Sequence, residues 1–131
     1  MTKNKPSIDE WLKEAKADKN AGNVGMYLTH NGVVRATARE KVREGRSDAP
    51  PVTAMMFSYN EDKLSEVIED ARKLSGIYYV RVWLNEGRLE VGDDIMFVLI
   101  GGDIRVRVVE ALQYLVGRIK SECVVETEIT L

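Results

Sequence analysis

The sequence of 131 residues contains one cysteine, Cys123, and one histidine, His30. A lone cysteine excludes an internal disulfide, and a lone histidine leaves no Cys/His set from which a zinc site is assembled. No metal is expected, carboxylate-only magnesium binding being the one class that composition leaves open. No stretch approaches the roughly 18–20 consecutive apolar residues of a membrane-spanning helix, and the polar, basic start Met1 to Pro6 leads into no hydrophobic block. Excess charge of one sign is also missing. A formal net charge of -2 provides no basic surplus for a phosphate backbone, so neither nucleic acid nor membrane is expected as a partner. Internal repeats, low-complexity tracts and linkers are absent as well.

What is present, 44% hydrophobic and 31% charged residues, is the balance of one compact domain over residues 1–131, expected in the cytoplasm. Ser7-Ile8-Asp9-Glu10 has the capping-box form, and Ile8, Trp11, Leu12 and Ala15 recur at helical spacing, which predicts a short amphipathic helix ending near Asn20 to Gly22. Val24, Met26 and Leu28 then alternate, and Asn31-Gly32 supplies turn residues before Val33-Val34-Arg35, predicting a hairpin. Between Ala38 and Pro51, charge, Gly45, Ser47 and Pro50-Pro51 replace any apolar period and predict a loop or hairpin tip. A strand runs from Val52 to about Tyr59. Asn60 caps the next helix, in which Leu64, Val67, Ile68, Ala71 and Leu74 form one stripe, and Ser75-Gly76 stops it.

The stretch from Ile77 to Lys120 says most. Ile77 to Leu84 is rich in β-branched and aromatic residues, and Ile95 to Ile100 is apolar at every position, which predicts a strand covered on both faces. Turns at Asn85-Glu86-Gly87 and Val91-Gly92-Asp93 separate these strands. After Gly101-Gly102, Asp103 is expected to cap a long helix with Ile104, Val108, Ala111, Leu112, Leu115 and Ile119 inward. Paired glycines opening a helix that carries Arg105 and Arg107 make a place to hold an anion, although a plain strand-to-helix turn uses the same residues. The last element, Cys123 to Leu131, alternates with Cys123, Val125, Thr127 and Ile129 opposite Glu126 and Glu128, as in a half-buried or edge strand. The order of elements is that of an α+β protein, a mixed or mainly antiparallel sheet with helices packed on it.

Read in order, these motifs resemble the large, catalytic subunit of molybdopterin synthase, MoaE-like and divergent. Gly25 followed by Gly32 and Val34-Arg35 is similar to that family's strand and Gly-x-Val-Arg segment. Tyr59 stands where the family closes its next strand with a tyrosine, and Ile68 to Arg72 resembles the end of its acidic helix. Gly87-x-Leu89-x-Val91-Gly92-Asp93 is similar to its Gly-x-Leu-x-x-Gly-Asp turn. Arg105 falls on the arginine of its Ala-His-Arg segment, Glu110-Ala111 on its Glu-Ala pair, and Lys120 on a lysine late in the long helix. The resemblance spans Val24 to Glu128.

The resemblance implies an α/β-hammerhead-like fold with a small added β subdomain, working as a homodimer. It implies sulfur transfer into cyclic pyranopterin monophosphate to make molybdopterin, with no cofactor. The sulfur donor would be the thiocarboxylate on the C-terminal Gly-Gly of a small ubiquitin-like carrier. Lys120 would be the catalytic lysine, and Arg35 and Arg105 would hold phosphate or the carrier's carboxyl end, as guanidinium forks suit both. The departures imply the alternative, a non-catalytic dimeric relative acting as a binding or regulatory module. Ile104 stands in place of the family's histidine, Leu84-Asn85 in place of a His-Arg pair, and Thr127 in place of a second lysine. The family's tail has no counterpart before Leu131.

Each residue has a plainer use beside this one. Lys120 also reads as a solvent lysine favoured by the helix dipole, and Arg35 and Arg105 as ordinary surface cations. His30 reads as a surface turn residue and Cys123 as a buried, inert thiol. The basic residues Arg39, Lys41, Arg43 and Arg46 either cover a pterin phosphate or form a solvated loop. Arg105 and Lys120 lie at the two ends of one helix, roughly 22 Å apart at 1.5 Å per residue, so a site using both is elongated or shared between subunits.

Overall fold

A computed structural model describes residues 4–37 and 51–130. The basic residues Arg39, Lys41, Arg43 and Arg46 lie outside the described residues. Among the described residues three α-helices, α1 (Ile8–Lys16), α2 (Glu61–Arg72) and α3 (Arg105–Arg118), accompany six strands. The strands are β1 (Met26–Val33), β2 (Val52–Tyr59), β3 (Ile77–Leu84), β4 (Gly87–Glu90), β5 (Asp94–Gly102) and β6 (Val124–Thr130). They form two three-stranded sheets, ordered β1-β5-β3 and β4-β2-β6, and every pairing is antiparallel. The α+β class is therefore as the sequence predicts. Among the described residues no helix is long and apolar enough to cross a membrane.

The apolar run Ile95 to Ile100 of β5 is central in its sheet and covered on both sides, because alternate side chains from Met96 to Ile100 go to different helices. Phe97 and Leu99 meet Trp11 and Ala15 of α1, while Met96, Val98 and Ile100 join Val67 of α2 and Val108 and Leu115 of α3. Helix α1 starts where Ser7 Oγ accepts from Glu10 N–H at 3.2 Å, and α2 where Asn60 Oδ1 accepts from Lys63 N–H at 2.9 Å, both as the capping residues predict.

Helix α1 ends at Lys16 rather than near Asn20 to Gly22, and four further expectations are corrected. Asn31-Gly32 makes no hairpin: β1 runs through it, Gly32 pairs with Met96, and the irregularity is a bulge between Gly32 and Val33. Left-handed glycines occur at Gly76, Gly87 and Gly92 instead. Partner strand β5 extends far enough to offer every residue of β1 a ladder, and Asn31 Nδ2 donates to Met96 O across it, so local turn chemistry is overridden.

The second correction concerns the head of α3. Asp103 does not cap it. Its Oδ1 accepts from Ile104 N–H at 2.7 Å and its Oδ2 pairs with Arg107 at 2.8 Å, so a carboxylate of the chain itself occupies the place proposed for an anion. Third, Ile104 is 54% exposed rather than inward. Fourth, the facing of β6 is inverted. Register sets Glu126 against Phe57 and Glu128 against Met55, both inward residues of β2, whereas Val125 opposite Ser58 is exposed.

Gly101 and Gly102 are glycines because the protein itself crowds them. A Cβ on Gly101 would lie 2.7 Å from the Tyr27 ring; one on Gly102 would lie 2.6 Å from Val108 Cγ2 and 2.7 Å from Gly76 O. Gly102→Ala is expected to cost about 1–3 kcal/mol through overpacking, read as a lowered urea midpoint at unchanged slope.

Candidate functional site

Where the two sheets meet, a cavity of about 290 Å³ opens between β1, β5, β2, β6 and the turn that follows α3. Its apolar floor is Met55, Ile95 and Met96, and its polar lining is His30, Arg35, Lys120, Glu126 and Glu128. Each is placed by a backbone feature. His30 and Gly32 share a face of β1, two residues apart, with His30 Nε2 3.9 Å from where a Gly32 Cβ would stand. After the bulge the chain leaves the sheet, and Arg35 reaches the rim. Glu126 and Glu128 come from the inward face of β6.

Lys120 sits on a π-helical turn, Ile119–Cys123, at the end of α3. Such turns occur often at functional sites, because widening the helix re-aims the next side chains. Ile119 and Cys123 are buried on either side, so the turn presents Lys120 outward. Arg118 fixes it from beneath: Nε donates to Glu122 Oε2 at 2.7 Å, while one terminal nitrogen donates to Asp70 of α2 at 2.6 Å and to Tyr114 Oη at 3.0 Å. The Arg118 hydrogen bonds hold the Glu122 carboxyl down to about 2. Because the folded value is depressed, this support is complete above the ordinary carboxylate range near 4.5 and is lost as pH falls towards 2. The stability difference between the wild type and Glu122→Gln, followed by thermal unfolding, is accordingly expected to shrink to nothing between pH 5 and 2 and to weaken with salt.

Burial first, and then the charge of Lys120, push the His30 imidazole below its ordinary value. Both effects favour the neutral imidazole. The Cys123 thiol is pushed up by burial, then by Glu122, and lies away from the cavity lining, in agreement with an inert role. The lining therefore offers anion binding by Arg35 and Lys120 and proton transfer by His30, and among the described residues it holds no hydroxyl or thiol nucleophile. Among the described residues no three His, Cys, Asp or Glu groups gather as metal ligands.

Of the three residues singled out in the sequence, the fold brings Arg35 and Lys120 to this cavity and leaves Arg105 outside it. Arg105 is exposed in the first turn of α3, at the far end of that helix. His30, Glu126 and Glu128 escaped the sequence reading. A hairpin at Asn31 hid the shared face of His30 and Gly32, and the apolar alternation of β6 pointed the carboxylates outward. Thr127, which stands for the second lysine, is exposed on the opposite face of β6. Leu84 is core and Asn85 is structural. Asn85 Nδ2 donates to Asp94 O and its Oδ1 accepts from Glu86 N–H, both at 2.9 Å. A wider recess of about 400 Å³ beside Trp83 is spanned by the Lys5–Asp94 ion pair and borders this structural Asn85.

The family model described as MoaE protein matches residues 1–122. Solved structures are similar throughout. Molybdopterin synthase from Staphylococcus aureus superposes with a TM-score of 0.72 at 17% identity, over 97% of this chain and 88% of that one. The molybdopterin biosynthesis MoaE protein from Burkholderia ambifaria MC40-6 gives 0.71 at 18%, over 98% and 82%. A protein–protein complex of subunits 1 and 2 of molybdopterin-converting factor from Helicobacter pylori 26695 gives 0.64 at 16%, over 95% and 80%. At such identities the likeness carries the fold alone. No curated protein matches the sequence.

Proposed function

We propose, because this chain belongs to the MoaE family, that it serves molybdenum cofactor biosynthesis as a large subunit of molybdopterin synthase. In this reading it moves sulfur from the thiocarboxylated Gly-Gly end of a small ubiquitin-like carrier onto cyclic pyranopterin monophosphate, forming molybdopterin. The observation that carries it is the meeting of Arg35 and Lys120 at one cavity between the sheets. A tail of two glycines has no side chains to accommodate. The Arg35 fork suits the cyclic phosphate, and Lys120 suits the developing negative charge at the acyl and sulfur atoms.

Arg105 enters this scheme from a second copy of the chain. Its neighbours Ile104, Val106 and Val109 are 54%, 61% and 38% exposed, an apolar border around a cation that suits burial in a homodimer. The carrier has a parallel in the two-subunit complex of the Helicobacter pylori protein. Purified chain supplied with thiocarboxylated carrier and the pyranopterin is expected to yield the dithiolene product; absence of product refutes the reading.

The second reading, a dimeric relative that binds the carrier without turnover, is favoured by the outward Thr127 and apolar Ile104. Carrier binding at micromolar concentration without product formation would select it.

A further inference from the structure

We propose that His30 is an acid–base group of the Lys120 cavity, taking a proton from the water that releases the carrier after sulfur transfer. The proposal rests on the sulfur-transfer reading above. Once the carrier's sulfur has bonded to the pterin carbon, the two molecules are joined through an acyl–sulfur bond. Release needs water. The water oxygen bonds to the acyl carbon, the acyl carbon–sulfur bond breaks, and its electron pair goes to sulfur, which leaves as thiolate on the product. The carrier departs as carboxylate. Of the two water protons, one passes to the His30 imidazole and the other to solvent; nothing is oxidised or reduced.

Geometry selects His30 for this task. It is the only histidine of the chain, half-buried on β1, with its Nε2 towards the empty side of Gly32 and in the same cavity as Lys120. A general base must be unprotonated at working pH and free to accept. The charged groups facing it are Lys120 from the π turn, Arg35 from beyond β1, and Glu126 and Glu128 from β6, while β5 and β2 present Ile95, Met96 and Met55. Burial and Lys120 both favour the neutral ring. Lys120 therefore has two effects on one reaction: it stabilises the negative charge that develops, and it keeps its neighbour available as a base. An exposed histidine at the same sequence position would carry neither relation.

Because the imidazole is unique, its ring C–H resonance can be followed without assignment. Its titration midpoint is expected below 6.5 in the wild type and higher in Lys120→Met. In turnover with carrier and pyranopterin, His30→Gln is expected to lose roughly 10²-fold in kcat with carrier affinity unchanged, and to lose the acid limb of the pH–rate profile that coincides with the wild-type midpoint. A purely structural histidine would leave that limb in place. Turnover by the wild type with an equal rate and profile in His30→Gln overturns the role of His30 alone, as does a midpoint indifferent to Lys120. A wild type without turnover overturns the sulfur-transfer reading and this role with it.

Discussion

Lys120→Ala is expected to lower kcat for dithiolene formation by roughly 10²–10³-fold, the usual cost of removing one group aimed at developing charge. The substitution removes an exposed side chain from a turn held by Ile119, Cys123 and Arg118, so the fold should stay, and any change in carrier affinity is read separately from kcat. Circular dichroism and carrier titration check that. Equal turnover in Lys120→Ala and wild type would remove this residue from the chemistry. A sharper form uses the distance between the helix ends. If a site combines Lys120 of one protomer with Arg105 of another, mixing the inactive Lys120→Ala and Arg105→Ala chains restores activity. Random exchange leaves roughly a quarter of all sites with both native residues. Failure to complement, with heterodimers present, would place Arg105 outside the site.

The largest stability effect is expected at Leu115. It is fully buried on α3, in the cluster that joins α2, α3 and both sheets. Leu115→Ala removes three carbon atoms from a place where the surrounding strands have little freedom to collapse, and is expected to cost about 2–5 kcal/mol. Against a total of roughly 5–15 kcal/mol for a domain, that lowers Tm by on the order of 10 °C. Denaturant and thermal unfolding measure it directly. A change below about 1 kcal/mol would mean that the helix slides to fill the gap, and with it the turn that carries Lys120.

Local signals were legible wherever one residue decides. Ser7 and Asn60 cap their helices because a side-chain oxygen reaches an N–H three residues on, which needs no distant partner. Gly87 and Gly92 turn the chain through left-handed φ values of 94° and 93° that other residues rarely adopt. The apolar run Ile95 to Ile100 identified a covered strand because a run that short between turn residues suits a strand better than a helix, and water excludes it from the surface. Where a signal was weak, a partner strand prevailed. Asn31-Gly32 is as good a turn as it is a pair of ladder residues, and β5 settled the matter by offering hydrogen bonds along the whole of β1.

The cavity was legible only in part. Arg35 and Lys120 were found through the resemblance, but that they line one cavity depends on the bulge after Gly32 and on the π turn after Arg118, neither of which has a sequence signature. His30 was passed over because a histidine next to an Asn-Gly pair reads as surface. Glu126 and Glu128 were pointed outward because alternation gives two faces without saying which is inner.

By itself, then, the sequence determined the α+β class, the order of most helices and strands, the covered strand β5 and the membership of a family, since all of these follow from periodicity, capping and motif order along the chain. Tertiary structure alone decided which side of β6 is inward, that the glycine pair serves packing rather than an anion, and that His30 stands beside Lys120. Those are properties of strand register and of what lies across a gap, set by non-local hydrogen bonds and steric fit between segments far apart in the chain.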